Sequence, residues 1–264
     1  MNLDQHVFRL SLGMSNVIAC SVLWIAGTGF LSAATLTPSA SDKRVLELTF
    51  EDEVSTPLRT PEGGGVAGRG HAFDNTASSK MGGNSQKPGS GGKVGVAGGS
   101  ARLANARSFT VQGWYKSDAG QIPSNYARLL AAARINVFFD SAQGKGLSLS
   151  VNRGSALCPD AAFRQSARWV FFAITYDGTQ KTDNVLFYAG SENEPVRLVG
   201  KAGIDAGPVG AGGAEQPIVI GNVDAGDRPF DGLIDNIRLW ADTSGTSAIL
   251  DLAALEQLRK TDAF

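Results

Sequence analysis

The sequence predicts an all-β sandwich with one short C-terminal helix. Three observations carry that prediction. Short segments rich in Val, Ile, Phe, Tyr and Trp follow one another after Ser100, separated by glycine-bearing turns. One of them, Arg168-Trp-Val-Phe-Phe-Ala-Ile-Thr-Tyr176, is apolar on both faces, as a central strand covered on each side must be. Only Ala248 to Lys260 sets apolar residues at helical spacing, with Ile249, Leu252, Leu255 and Leu258 marking a stripe.

The N-terminus reads as a targeting segment. A mostly apolar run from Leu10 to Leu31 leads into Ser32-Ala33-Ala34, the small-residue pattern of a cleavage site. It resembles a bacterial secretory signal peptide over residues 1–34, with an uncleaved anchor helix as the alternative. Val17-Ile18-Ala19-Cys20 loosely resembles a lipoprotein box, but the strongest apolar stretch follows Cys20 instead of preceding it. Cys20 is therefore expected to leave with the signal, so that Cys158 stands alone and the domain holds without a disulfide. The expected location is secreted, periplasmic or cell-surface, with no membrane attachment once the signal is cleaved. A net charge of −1 offers no general attraction for nucleic acid or an anionic membrane.

Residues 35–43 read as a polar leader, and 44–264 as a single domain. Arg44 to Phe50 alternates as a strand and closes in Glu51-Asp52-Glu53. The stretch 57–100 is dominated by glycine, serine and asparagine, interrupted by Gly70-His-Ala-Phe-Asp74, and is expected to form loop or short edge strands. One strand ahead of such a stretch cannot be a domain alone. It must join the sheets made later, as in Greek-key and jelly-roll sandwiches. The later strands are expected at Ser108 to Ser117, Tyr126 to Ala133, Asn136 to Asp140, Gly146 to Val151, Arg168 to Tyr176, Asn184 to Ala189, Val196 to Val199 and Pro217 to Gly221. The closing segment is Phe230-Asp-Gly-Leu-Ile-Asp-Asn-Ile-Arg-Leu-Trp240. On strict alternation Leu233, Asp235, Ile237 and Leu239 share one face, which buries a carboxylate among apolar side chains. Such a carboxylate needs hydrogen-bond donors, a basic partner or a cation.

These segments carry a family resemblance. Ser108-Phe-Thr-Val-Gln-Gly-Trp-Tyr-Lys-Ser117 resembles the F-T-x-x-x-W-x strand of laminin G-like domains in the concanavalin A-like lectin/glucanase superfamily. Arg168 to Gly178 is similar to that family's W-x-h-h-A-h-x-Y-D-G strand and turn, and Phe230 to Trp240 to its closing G-x-I-D-x-h-x-h strand. The resemblance runs from about Arg44 to Trp240. It implies a jelly roll of two antiparallel sheets, often with a structural calcium and sometimes a sugar or protein partner. It also implies that the N-terminal and closing strands can lie side by side, bringing Glu51 or Asp52 towards Asp235 as candidate calcium ligands. The alternatives are that Asp235 accepts backbone N–H bonds or pairs with an arginine such as Arg238.

Chemistry-bearing residues are otherwise few. Asp224 and Asp227 sit in a loop that can hold a cation or be a solvated hairpin. Glu47, Glu51 and Glu53 lie at even spacing, but Thr49 stands where glycoside hydrolases of this fold carry an aspartate, so no catalytic residue is expected. After signal removal one histidine, His71, is left, and no serine stands in a Gly-x-Ser-x-Gly turn. Trp114, Trp169 and Trp240 occupy strand positions and are expected in the core, leaving Tyr115, Tyr126 and Tyr176 as candidate stacking residues for a ligand. The expected function is a non-catalytic lectin-like or adhesive module whose partner is a glycan or an extracellular protein. The alternatives are a surface or matrix structural protein that binds another protein and, remotely, a glycoside hydrolase with an atypical site.

Overall fold

Alternating side chains in extended segments build two layers. The computed structural model describes residues 43–48, 94–117, 126–140 and 146–263, together with the backbone of five short strands between 58 and 87. All of these fall in one unit, Pro38–Phe264. The expected signal peptide and Cys20 lie outside the described residues, as do Glu51, Asp52 and His71.

The strands are β1 (Arg44–Leu48), β2 (Leu58–Arg59), β3 (Gly65–Val66), β4 (Gly68–Gly70), β5 (Asp74–Ala77), β6 (Asn84–Lys87), β7 (Val94–Val96), β8 (Ser108–Ser117), β9 (Arg128–Ala131) and β10 (Ile135–Asp140). They continue as β11 (Gly146–Val151), β12 (Gly154–Cys158), β13 (Val170–Asp177), β14 (Val185–Ser191), β15 (Arg197–Ala202), β16 (Ile218–Ile220) and β17 (Gly232–Asp242), ahead of the helix α1 (Leu252–Ala263). One sheet has the order β15-β14-β13-β8-β17-β6-β5, with β1 also paired to β17. The facing sheet runs β12-β11-β10-β9-β16-β7-β4, and β2 and β3 form a separate ribbon. Neighbours distant in sequence, such as β8 between β13 and β17, mean that the chain crosses repeatedly between layers, as in a jelly roll. The N-terminal strand does join the closing strand, in antiparallel register Leu48↔Ile237. The glycine-rich stretch resolves into short strands that extend both sheets.

Between the sheets, Phe109, Val111 and Tyr115 of β8 and Phe172, Ile174 and Tyr176 of β13 pack with Leu129, Val137, Phe139 and Leu149. Burial of each large side chain contributes about 1.5–3 kcal/mol. The other face of the first sheet holds a second apolar layer of Trp114, Phe171, Tyr188 and Trp240, covered by Leu250 and Leu255. The three tryptophans are buried, as expected. So is the central strand β13, on both faces.

Two expectations about elements change. Residues 154–158 form β12, which places Cys158 at a buried strand end and not in a loop. Burial pushes its thiol up, towards the unreactive protonated form. The helix starts at Leu252, four residues later than its apolar spacing suggests, because the Asp251 carboxylate caps it by accepting the Ala254 N–H at 2.8 Å. Its buried side is Leu255, Arg259 and Asp262, with Leu252 45% exposed. Among the described residues no helix is long and apolar enough to cross a membrane.

Candidate binding site

The closing strand contradicts simple alternation. Asp235 opposes Trp114 and Arg238 opposes Gln112, so Asn236 and Ile237 together face Gly113. The extra residue is a β-bulge, with Asn236 at φ +50°. It turns Asp235 to the outer face with Leu233, whereas Ile237 and Leu239 stay in the inter-sheet core. The expectation that Asp235, Ile237 and Leu239 share a face is thus corrected. Asp235 is fully buried, and its Oδ1 accepts the Asn236 N–H at 2.8 Å. Arg238 instead bonds Glu47 at 2.7 Å and Asp262 at 2.8 Å. Calcium takes six to eight oxygen ligands. Among the described residues no three His, Cys, Asp or Glu side chains come together. Of the expected calcium ligands only Asp235 is described, and its Oδ1 already accepts a backbone hydrogen bond.

Of the three tyrosines, two are corrected. Tyr115 is fully buried between the sheets, edge-on to Phe139 with centroids 5.1 Å apart, and donates its hydroxyl to the Phe163 carbonyl. Tyr176 is also fully buried and donates to the Gly207 carbonyl at 2.7 Å. Neither offers a ring to a ligand. Their inward direction follows from β8 and β13 pairing Tyr115 with Val170 and Tyr176 with Phe109, all of them core residues.

Tyr126 is different, because 36% of it is exposed. Its backbone sits at φ +61°, while its N–H still donates to the Phe139 carbonyl at 2.7 Å. A left-handed tyrosine is a strained conformation that its surroundings must enforce. The ring stacks on Phe138, with centroids 6.0 Å apart and planes at 30°. Phe138 is next to the core residue Phe139 and therefore points to the outer face of the second sheet.

Two arginines complete the group. Arg128 lies opposite Phe138 in the β9–β10 register, and its guanidinium sits 4.5 Å from the Phe138 centroid. The Arg228 guanidinium sits 5.3 Å from the Tyr126 centroid. Arg228 is brought there by the loop after β16. Its carbonyl accepts the Arg128 N–H at 3.1 Å, and the buried Asn222 side chain accepts the N–H groups of both Val223 and Arg228. Arg128 donates to the Tyr126 carbonyl at 2.7 Å, but its Nε is buried without a hydrogen-bond partner. Burial and then Arg228 lower its pKa, with Asp227 opposing. Among the described residues neither guanidinium forms a carboxylate ion pair closer than 4 Å. The 222–228 loop, read as a cation loop or a hairpin, is chiefly the carrier of Arg228.

A cleft of about 670 Å³ lies at the end of the first sheet, among Lys116, Arg168, Trp169, Ser191, Asn193 and Arg197. Its one aromatic, Trp169, is buried, so it presents no stacking surface. Glu47 is engaged by Arg44 and Arg238, which gives it a structural position at the sheet edge.

Comparisons with known proteins fit this architecture. A laminin G family model described as the concanavalin A-like lectin/glucanases superfamily matches residues 88–249. No curated protein matches the chain. Among solved structures, domain 4 of AbnA, an extracellular GH43 arabinanase from Geobacillus stearothermophilus in complex with arabinotriose, superposes with a TM-score of 0.53 at 17% identity, covering 82% of this chain and 98% of that one. The receptor-binding domain of the botulinum neurotoxin C/D mosaic serotype gives 0.55 at 14% identity, over 84% of this chain and 52% of that one. A Trypanosoma rangeli sialidase in complex with 2,3-difluorosialic acid gives 0.52 at 13% identity, over 81% and 32%. This chain spans about half of the neurotoxin domain and a third of the sialidase. At these identities the likeness is one of fold.

Proposed function

The chain belongs to the concanavalin A-like lectin/glucanase superfamily, and from that premise we propose that it is a non-catalytic glycan-binding module acting outside the cytoplasm. The observation that carries this reading is the exposed Tyr126 ring, held at positive φ and stacked on Phe138 on the outer face of the second sheet. Sugar rings present faces of C–H groups that pack on aromatic planes, and binding sites pair such a surface with a few polar groups. Arg128 and Arg228 are the polar groups nearest to hand. Two structural neighbours, the arabinanase domain in complex with arabinotriose and the neurotoxin DC binding domain in complex with SialylT, support a saccharide on this fold. The fold's other face is occupied by α1 and its apolar layer, which favours the second sheet as the binding surface. The proposal calls on no metal.

A glycan array probed with the mature protein and with Tyr126→Ala tests it. Wild type is expected to give reproducible hits, and the variant to lose at least tenfold in affinity for them, about 1.4 kcal/mol. Because Tyr126 is partly exposed, the variant should melt within a few degrees of wild type. Hits that survive Tyr126→Ala unchanged place the sugar elsewhere. Binding only to extracellular proteins, with none to glycans, favours the adhesive alternative.

A further inference from the structure

We propose that the saccharide bound at the Tyr126 platform is anionic, its acidic group seated between the Arg128 and Arg228 guanidiniums while its ring packs against the exposed part of Tyr126. This rests on the platform reading and adds the class of ligand to it. Three features of the site point the same way. The two guanidiniums lie over adjacent stacked rings, 4.5 and 5.3 Å from the Phe138 and Tyr126 centroids, so two positive charges are held in one small area. Among the described residues no carboxylate forms an ion pair with either, although Asp227 favours the Arg128 charge at longer range. The Arg128 Nε is buried with its hydrogen-bonding capacity unused.

A buried donor left unsatisfied is costly, and repulsion between two cations adds to that cost. The free protein carries both because their positions are fixed for other reasons. Arg128 is set by the β9–β10 register, and Arg228 by its backbone bonds to Arg128 and Asn222. An incoming anion relieves the repulsion directly, and meets the Nε once the atoms covering it move aside. A planar carboxylate or a sulfate can accept from two guanidiniums, and such charge-assisted bonds are about twice as strong as neutral ones. A neutral sugar relieves neither. The rings beneath them restrict where the guanidiniums can go, which lowers the side-chain entropy lost on binding.

Methyl glucuronide, methyl glucoside and glucose 6-sulfate form a matched set of probes: a carboxylate, a neutral ring and a sulfate. Each is titrated into the protein while the arginine Nε–H and tyrosine ring resonances are followed by NMR. Methyl glucuronide, glucose 6-sulfate or both should bind at least tenfold more tightly than methyl glucoside, with the Arg128 Nε signal moving to saturation. A response to both acids means that the site reads negative charge, and a response to the glucuronide alone means that it reads a carboxylate. The exposed Arg228 gives a variant expected to fold normally, and Arg228→Gln should abolish the preference for the acids over the glucoside. Equal binding of acid and neutral probes, with tyrosine signals moving for both, overturns the anionic ligand and leaves the platform standing. No response to any probe, together with an array free of hits, removes both.

Discussion

Gly232 shows at single-residue scale why the closing motif begins as it does. It opens β17 at φ +149°, and a Cβ placed there would lie 2.2 Å from the Lys116 carbonyl oxygen and 2.8 Å from the Ser117 Cα. Both are backbone atoms of the neighbouring strand, so no side chain can swing away to make room. Gly232→Ala is therefore expected to destabilise the domain by about 2–4 kcal/mol, combining a strained backbone with overpacking. The midpoint of urea unfolding reports it. A change under about 1 kcal/mol would show that β17 can move away from β8. Tyr126 is the contrasting residue, since its strained φ serves an exposed ring and its loss should be felt in binding alone.

Among the elements, α1 shows how a short helix is fixed to a sheet by few groups. Asp262 accepts from the Arg238 guanidinium at 2.8 Å and from the Trp114 indole N–H at 3.1 Å, both on the outer face of the first sheet. Arg238 also holds Glu47 of β1, so one guanidinium ties the first strand, the last strand and the last helix together. One cation shared by two carboxylates satisfies the cation better than either acid. Accordingly the Arg238 pKa is raised despite burial, whereas burial outweighs the arginine at Asp262 and raises that carboxyl too. Asp262→Ala should cost about 3 kcal/mol, because it leaves the Trp114 donor and part of Arg238 unpaired under the helix. Asp262→Asn, which keeps an acceptor and drops a charge that burial disfavours, should cost less than half as much. Equal losses for the two variants in chemical denaturation would mean that charge, and not acceptor geometry, docks the helix. The boundary of this element shows where the sequence was hard to read. Apolar spacing extends back to Ile249, but the Asp251 cap starts the helix three residues after it, at Leu252. The stripe also misses Arg259 and Asp262, whose burial depends on partners distant in sequence. The bulge in β17 hid in the same way. Strict alternation puts Ile234 and Ile237 on opposite faces, yet both lie in the core, and the doubled polar pair Asp235-Asn236 with the tolerance of asparagine for positive φ is the one local hint of an inserted residue.

At the scale of the whole molecule, strand order was legible because each motif carries its own periodicity, whereas the site depends on distant residues meeting. Two adjacent aromatics in a strand must point to opposite faces, so Phe138-Phe139 already implied an aromatic on the outer surface. Tyr115 and Tyr176 alternate instead with Phe109 and Val111 in β8 and with Phe172 and Ile174 in β13, which puts them on the core face. Arg128 and Arg228 are joined only through the crossing between layers, which no local pattern records. The buried tyrosines have a consequence for the domain as a whole, namely how its stability changes at high pH. Burial, reinforced by Asp177 and Asp205, pushes Tyr176 up to about 12, and burial raises Tyr115 well above its ordinary value. The unfolded chain releases these protons near pH 10, and the folded chain holds them. The stabilisation is thus complete below about pH 10 and is lost as pH climbs through the folded values, with Tyr176 alone contributing about 1.4 kcal/mol per pH unit between 10 and 12. At the acid end the sign reverses. Arg259 holds Glu256 at about 2, and Ser244, Ser247 and Lys43 overcome burial to keep Asp242 well below the carboxylate range. Their contribution is present above about pH 4 and disappears as pH falls towards the folded values, partly offset by Asp262, whose raised pKa acts in the opposite sense. Urea unfolding across the pH range should therefore give a plateau that falls on both sides. On the alkaline side, tyrosinate absorbance should rise in step with loss of the near-UV dichroism of the core. Tyrosinate formed at pH 11 in a fully folded Tyr126→Phe variant, which lacks the exposed tyrosine, would show that the buried tyrosines ionise in place, and that their burial does not set the alkaline limit.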